Sequence, residues 1–208
     1  MSFMRRLMDI SGSFLALLVS SPLLLAVGIA IIVESLLNQA WGNPFYLARR
    51  VGKDGRNFRM WKFRTMVPNA SKLGPPITGA GDPRITRLGH FLRRTKLDEL
   101  PQFMNVFVGD MSLVGPRPES PDIVARYTPE QHKVLSAKPG VTGKVQLESG
   151  EESDAIPADV DAEEFYINHL MDRKLRADLE YLAHRTLASD ARILMSTAAY
   201  VLRAFARR

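Results

Sequence analysis

An uninterrupted apolar segment near the start of the chain constrains the fold most strongly. Between Asp9 and Glu34 lie 24 uncharged residues, ISGSFLALLVSSPLLLAVGIAIIV. A helix of this length can cross the hydrocarbon core of a bilayer, which is about 30 Å thick. The segment therefore predicts membrane contact. A cleaved signal peptide is disfavoured, because the run is too long and no small-residue cleavage site stands out before the basic region that follows it.

Pro22 lies near the middle of this segment and bears on its topology. Proline lacks a backbone donor, so we expect a kink at a depth where lipid cannot replace the lost hydrogen bond. Ser20 and Ser21 precede it, and a serine hydroxyl can satisfy the freed carbonyl. The apolar run is flanked on both sides by basic residues, namely Arg5, Arg6, Arg49, Arg50 and Lys53. The positive-inside rule then places both ends in the cytoplasm.

Two topologies follow from this pattern. In a re-entrant hairpin, each arm of about 11 to 12 residues rises roughly 17 Å and dips into one leaflet. In the alternative, the segment is an ordinary kinked transmembrane helix. The flanking charges favour the hairpin, and we expect a re-entrant membrane segment over residues 1–40 followed by a compact cytoplasmic domain over 41–208.

Charge is distributed unevenly along the chain. Residues 1–117 contain 16 Lys and Arg against 7 Asp and Glu, whereas residues 118–208 contain 12 against 15. A basic half indicates an anionic partner, such as nucleic acid, a phospholipid surface or a phosphorylated substrate. The chain has no cysteine, which excludes disulfides, thiolate metal sites and cysteine nucleophiles. Its four histidines show no metal-ligand spacing.

Local patterns predict a mostly α-helical α/β protein with a small sheet. A hairpin is expected with strands at Phe45–Val51 and Phe58–Arg64, and Val67–Pro83 reads as a loop. Arg84–Lys96 has the apolar spacing of a basic amphipathic helix, which either lies on an anionic membrane or packs on a soluble core. Further predictions are a strand-like run beginning at Asn105, another at Lys144–Leu147, a solvated acidic loop over 148–164, and C-terminal helices able to lie on the membrane.

Asp98 and Glu99 form an adjacent acid pair directly after the basic helix. Adjacent helical side chains point about 100° apart, so the two carboxylates do not share a proton and should have different roles. Capping of a helix beginning at Pro101 explains one acid but not both. Downstream, Pro116 and Pro118 hold Arg117 in extended backbone, which suits bidentate recognition of a phosphate.

Five motifs together resemble the bacterial sugar transferase family, the small monotopic phosphoglycosyl transferases. They are KFRTM at 62–66, DPRIT at 82–86, LDELPQ at 97–102, GDMSLVGPRP at 109–118 and KPGVTG at 138–143. The resemblance extends from about Arg5 to Gly143 and is weaker in the C-terminal helices. After Gly143 the chain departs from many relatives, which have a tryptophan-containing stretch and an Asn-Gly-Arg-Asn-like turn. The sugar preference therefore does not transfer.

The resemblance implies a membrane enzyme that moves a sugar 1-phosphate from a UDP-sugar onto a polyprenyl phosphate such as undecaprenyl phosphate, with release of UMP. It implies a re-entrant helix broken at Ser21-Pro22 and a catalytic pair at Asp98 and Glu99. Asp98 is the expected nucleophile, forming a covalent sugar-phosphate intermediate. Substrate binding is assigned to residues of the motifs, namely Lys62, Arg64, Pro116, Arg117 and Pro118, and to Arg93, which matches a family position associated with phosphate binding.

This chemistry agrees with the residue types. A carboxylate attacks phosphorus only if the charge of the phosphate oxygens is neutralised, which arginines and a divalent metal achieve. Mg²⁺ is the expected cofactor, bound through Asp98 and Glu99, because it prefers oxygen ligands and bridges carboxylates to diphosphates. The role of Glu99, in metal binding or in orienting Asp98, stays open.

The expected location is the bacterial inner membrane, with the catalytic domain and its interfacial helices on the cytoplasmic face, at the first membrane step of glycan assembly. A non-catalytic adaptor that binds anionic lipid is the alternative. Nucleic-acid binding is disfavoured because the basic half contains the membrane segment and no recognisable nucleic-acid motif. Formation of a homo-oligomer through the C-terminal helices stays open.

Overall fold

Helices dominate the computed structural model, which describes residues 3–39, 42–74, 82–149, 155–157 and 160–206. The helices are α1 (Phe3–Leu37), α2 (Arg87–Thr95), α3 (Gln102–Val108), α4 (Pro121–Val124), α5 (Lys144–Ser149), α6 (Ala162–Phe165), α7 (Met171–Ala183) and α8 (Leu187–Ala206). The strands are β1 (Phe45–Val51), β2 (Asn57–Phe63), β3 (Ser112–Val114) and β4 (Gly140–Thr142). The mostly helical prediction is confirmed. Residues 75–81 of the first predicted loop, and 150–154 with 158 and 159 of the acidic loop, lie outside the described residues.

Helix α1 is the one helix of the described chain that is long and apolar enough to cross a membrane. It continues as α-helix through Pro22. Because Pro22 cannot donate to the carbonyl of Leu18, that oxygen needs another partner. The Ser21 hydroxyl supplies it at 2.8 Å, and the Ser20 hydroxyl bonds the carbonyl of Ala16 at 2.6 Å. The expected serine compensation is thus confirmed, while re-entry stays a prediction.

The N-terminal part of α1 is fixed to the rest of the chain by polar contacts. Asp9 is fully buried, and its Oδ1 accepts hydrogen bonds from the Ser112 hydroxyl at 2.9 Å and the Leu113 backbone at 2.8 Å. Arg6 donates to the carbonyls of Val106 and Phe107, both at 2.8 Å. This end of the helix is therefore docked on α3 and β3.

The C-terminal part of α1 packs on a different surface of the same domain. Val27 and Ile31 are buried against Phe63, Leu92 and Leu97. At the next turn, the Glu34 side chain accepts a hydrogen bond from the Leu88 backbone N–H at 3.0 Å. Both ends of α1 thus contact the domain, and most of the residues between them are exposed.

Strands β1 and β2 form the predicted antiparallel hairpin, joined by a tight turn at Lys53–Gly55. Its inner face contributes Ala48 and Met60 to the core, where they meet Val106, Met111 and residues of the C-terminal helices. The first strand matches its predicted bounds, and the second ends one residue early, at Phe63.

Strands β3 and β4 pair in parallel and form the second sheet of the described chain. The prediction of a strand-like run at Lys144–Leu147 was wrong, because the strand ends at Thr142 and α5 follows. The short strand expected between Asn105 and Gly115 is confirmed as β3, but it starts only at Ser112, because α3 continues to Val108. The predicted helix over Arg84–Lys96 is confirmed, although the observed helix α2 is shorter and covers Arg87–Thr95.

Candidate active site

Asp98 and Glu99 lie on a single 3₁₀ turn, Leu97–Glu99, between α2 and α3. Lys96 ends α2 in the left-handed conformation, with φ of 60°, and so turns the chain sharply. Leu97 is buried against Phe63 and the end of α1. Because Leu97 anchors the turn, the two following carboxylates are presented on a rigid support.

Glu99 is held by two cations. Its Oε1 accepts from Arg117 Nη2 at 2.7 Å and from Lys62 Nζ at 2.8 Å, and its Oε2 lies 3.3 Å from Arg117 Nη1. Burial alone raises the pKa of this carboxyl, but the charges of Arg117 and Lys62 outweigh it and hold the pKa well below its usual range. Glu99 is therefore ionised and fixed in place.

Asp98 is in a different state although it is the adjacent residue. It is 6% exposed, and within the described part of the chain its carboxylate accepts no hydrogen bond. Burial raises the pKa of Asp98 above that of an ordinary aspartate, and the nearby charges of Lys62, Arg93 and Lys96 only partly oppose this. The pair thus combines one engaged carboxylate with one that is available to react.

Arg93 faces this available carboxylate from the last turn of α2. Its Nε donates to the Thr65 hydroxyl at 2.9 Å, and its charge acts on Asp98. The Thr65 carbonyl also accepts from the Thr86 backbone at 3.0 Å, and a Cβ added at Gly89 would lie 2.0 Å from that oxygen. Close packing of α2 on Thr65 therefore sets the position of Arg93.

The Pro-Arg-Pro segment positions Arg117 from the opposite side. Pro116 and Pro118 are buried, and the Pro116 carbonyl accepts from the Gly140 backbone at 2.9 Å. A Cβ at Gly115 would lie 2.5 Å from the carbonyl of Lys138, so the loop needs glycine at this close approach. The prolines thus hold the loop, while Arg117 alone points to the acid pair.

Among the cations predicted to bind substrate, Arg64 is the one that the structure does not bring to the acid pair. Its guanidinium donates to the Ser35 hydroxyl near the end of α1. Lys62 and Arg64 share a face only if the strand continues, and β2 ends at Phe63 between them. Ser21 and Pro22 lie in the exposed middle of α1, as expected for residues that act on the membrane segment.

A buried ion pair behind Arg117 was not predicted from the sequence. Glu119 accepts from Lys174 Nζ and from the Tyr166 hydroxyl, both at 2.5 Å, and the Glu119 carbonyl accepts from the Val51 backbone at 2.9 Å. Lys174 is only 6% exposed. The position of Glu119 directly after the Pro-Arg-Pro motif was the available signal. Its partners are 47 and 55 residues away, so local patterns gave no indication of them.

We expect Lys174→Met to destabilise the protein by about 3 kcal/mol, because it leaves the buried Glu119 charge without its cation. Lys133→Met is the matched control, since Lys133 and Glu130 form an ion pair whose side chains are 65% and 69% exposed. Exposed pairs contribute at most about 1 kcal/mol. Thermal unfolding of both variants measures the difference, and equal stability of the two would refute the structural role of the Glu119 pair.

The donor set around Asp98 fits a Mg²⁺ ion shared with a substrate better than one held by protein alone. Among the described residues, no three His, Asp or Glu side chains group in a way suited to a metal. Mg²⁺ often takes only one or two carboxylates together with substrate phosphates and water. Asp98 fits as such a ligand, whereas both oxygens of Glu99 face cations.

The described chain thus combines a helix that is long and apolar enough to cross a membrane with two adjacent carboxylates surrounded by cations. Comparison with known proteins identifies the family. The bacterial sugar transferase family model matches residues 1–204, and the chain belongs to this family.

Relatives with assigned names agree with this membership. The UDP-N-acetylgalactosamine-undecaprenyl-phosphate N-acetylgalactosaminephosphotransferase of Aeromonas hydrophila is 36% identical over 100% of this chain and 45% of its own length. The undecaprenyl-phosphate galactose phosphotransferase of Salmonella typhimurium is 38% identical over 97% of this chain and 41% of its own length. The exopolysaccharide production protein PSS of Rhizobium leguminosarum is 34% identical over 93% of this chain and 92% of its own length. The chain thus spans less than half the length of the first two relatives.

Proposed function

We propose that this chain transfers a sugar 1-phosphate from a UDP-sugar to polyprenyl phosphate, with release of UMP, as the first membrane step of a bacterial glycan pathway. The observation that carries the proposal is the buried, unengaged carboxylate of Asp98 beside the engaged Glu99. The names of the two first relatives, which specify sugar phosphotransfer and undecaprenyl phosphate, support it.

Two displacements at one phosphorus account for the reaction. An Oδ atom of Asp98 attacks the phosphorus nearest the sugar, the bond to the bridging oxygen breaks, and UMP leaves with the bonding electrons. An aspartyl sugar phosphate remains. A phosphate oxygen of polyprenyl phosphate then attacks the same phosphorus, which releases the Asp98 carboxylate and forms polyprenyl diphosphate sugar.

The surrounding cations make this attack feasible. Lys62, Arg93 and Lys96 act electrostatically on Asp98, so they also lower the repulsion between its carboxylate and the diphosphate oxygens. Arg117 is held by Glu99 and by the two prolines, so its guanidinium is pre-oriented for phosphate. Bound Mg²⁺ would neutralise diphosphate charge, with Asp98 as its carboxylate ligand.

The test of this proposal is release of UMP from a panel of UDP-sugars by purified protein with undecaprenyl phosphate and Mg²⁺. Release that requires lipid, metal and Asp98 would support the transferase and identify its sugar. If no donor reacts, and membrane binding survives replacement of both acids by their amides, the adaptor function replaces it.

Thr65→Val tests how Arg93 is positioned. Loss of the hydroxyl that accepts from Arg93 Nε is expected to lower kcat/KM for UMP release about tenfold, since hydrogen bonds to charged groups contribute about 1.5–3 kcal/mol. Because the charge of Arg93 lowers the pKa of Asp98, a displaced guanidinium should also move the acid limb of the pH–rate profile to higher pH. Thr65→Ser keeps the hydroxyl and should preserve both values. An unchanged profile in Thr65→Val would contradict this role.

We also propose that α1 is re-entrant and that the domain lies on the cytoplasmic face of the inner membrane. Both ends of α1 contact one domain, and the stretch between them, 14–26, rises only about 20 Å. A spanning helix would place its ends on opposite sides of the bilayer. The chain has no cysteine, so single thiols introduced at residues 2 and 205 can be labelled selectively. Both should react with an impermeant maleimide only from the cytoplasmic side, and labelling of residue 2 from outside would overturn re-entry.

A further inference from the structure

The outer face of the β1–β2 hairpin carries two features that the catalytic proposal leaves unused. Across the strands, Leu47 pairs with Trp61 and Arg49 pairs with Arg59. Leu47 and Trp61 are each 37% exposed, and both arginines are exposed. This surface therefore presents an apolar pair and, at the next cross-strand pair on the same face, a basic pair.

Among the residues that the structure describes, no Asp or Glu lies within ion-pair distance of Arg49 or Arg59. Directly opposed cross-strand side chains have Cβ atoms about 5 Å apart, where like charges destabilise the hairpin. An anion bound between the guanidinium groups would remove this repulsion, and phosphate matches the geometry of two arginines well.

This surface is separate from the active site. Lys62 projects from the opposite face of β2 to Glu99, and Arg50 on β1 is influenced by the charges of Glu119 and Glu99. The side chains of neighbouring strand residues point to opposite faces. The hairpin thus directs one set of cations to the catalytic acids and another set, Arg49 and Arg59, away from them.

The outer face is continuous with the apolar surfaces of the protein. At the end nearest α1, the ring of Phe45 stacks on Phe63 at 5.3 Å and meets Trp61 edge-on at 5.6 Å, and Phe63 is packed against Ile31 of α1. Along the β2 edge of the hairpin, the Asn105 side chain of α3 accepts a hydrogen bond from the Trp61 backbone N–H at 2.9 Å. Helix α3 exposes the large apolar side chains Met104, Phe107 and Val108.

Polarity therefore changes along the hairpin in the order expected at a membrane surface. Aromatic and aliphatic side chains lie next to the membrane helix, and the arginine pair lies two residues further out, about 7 Å along the strands. Tryptophan is typical of the headgroup boundary, and basic residues attract the anionic lipids outside it.

We propose that the outer face of the hairpin is a membrane contact at which Arg49 and Arg59 bind the phosphate of an anionic phospholipid headgroup, with Leu47 and Trp61 inserted beside it. The inference rests on the membrane association proposed above but not on the transfer chemistry. It assigns the hairpin a lipid-selective role distinct from recognition of the polyprenyl phosphate.

Bromolipid quenching tests the proposal directly. The chain has two tryptophans, so Trp41→Phe leaves Trp61 as the sole reporter. This protein is reconstituted in nanodiscs of one phosphatidylcholine–phosphatidylglycerol mixture. Bromine is carried either by the phosphatidylglycerol or by an equal amount of the phosphatidylcholine. We expect brominated phosphatidylglycerol to quench Trp61 at least about twofold more strongly, because each arginine near the surface favours anionic lipid.

Variants identify the groups responsible. R49Q/R59Q should abolish the preference, whereas R126Q/R173Q, which removes the same charge from exposed positions outside the hairpin, should keep it. Equal quenching by the two lipids in the parent, no quenching by either, or a preference that survives R49Q/R59Q would each overturn the proposal. UMP release, measured in parallel, should be unchanged in R49Q/R59Q. Its absence in the parent would count against the proposed function and leave the quenching result interpretable.

Discussion

Asp98→Asn is expected to lower UMP release at least about a thousandfold, as removal of an enzyme nucleophile does. The stability of the folded protein should not decrease. The pKa of Asp98 is raised by burial, so at neutral pH its charge is less favourable in the folded than in the unfolded chain. Removal of that charge should leave the melting temperature equal or higher near pH 7. This advantage should disappear once the pH falls below the raised pKa, because Asp98 is then protonated and already neutral.

The matched control is Asp122→Asn, at an exposed position on α4. It should retain activity. In the parent, kcat/KM should fall on acidification at a higher pH than the ordinary aspartate pKa of about 3.9 would give, because the nucleophile must be ionised. Substantial activity in Asp98→Asn, or a marked loss of its stability near neutral pH, would contradict the assigned role.

Glu99→Gln is expected to have the opposite effect on stability. It removes the negative charge between Arg117 and Lys62 and leaves two partly buried cations facing each other, which should cost about 3 kcal/mol near pH 7. The pKa of Glu99 is held well below its usual range. Its stabilising contribution is therefore complete above the ordinary glutamate pKa of about 4.3 and is lost as the pH falls through the depressed value.

Activity should also fall in Glu99→Gln, by about 10²- to 10³-fold, which is the usual cost of removing one pre-oriented electrostatic group. A double-mutant cycle with Arg117→Met shows whether the effect of Glu99 on activity depends on Arg117. If Glu99 acts by holding Arg117, the double variant should be little worse than either single variant. Additive losses, or a Glu99→Gln protein as stable as the parent, would show that Glu99 acts through another group.

The elements that were predictable depend on neighbouring residues alone. The hairpin follows from a turn between two short runs, and α2 follows from its apolar spacing. The acid pair was also identifiable, because two adjacent carboxylates between basic segments exceed what capping requires. The different states of Asp98 and Glu99 were not predictable, since they depend on Arg117, 18 residues from Glu99, and on Lys62, 37 residues away.

The features that were predicted wrongly or not at all depend on contacts between residues that are distant in sequence. The strand at Gly140–Thr142 exists because it pairs with β3, whereas local patterns, which contain no information on that partner, indicate a strand at Lys144–Leu147 instead. Asp9 seemed only to bound the apolar segment, yet it is fully buried against β3. Lys62 and Arg64 belong to the same sequence motif, but β2 ends between them at Phe63. Lys62 therefore contacts Glu99, whereas Arg64 contacts Ser35.

The most direct test of the proposed transfer reaction is the search for its covalent intermediate. The protein is incubated with its UDP-sugar and Mg²⁺ in the absence of polyprenyl phosphate, quenched, and mapped by peptide mass spectrometry. We expect a sugar-phosphate adduct on Asp98 that is absent in Asp98→Asn and is discharged by polyprenyl phosphate. Release of UMP without such an adduct, or an adduct on Glu99 instead, would contradict it.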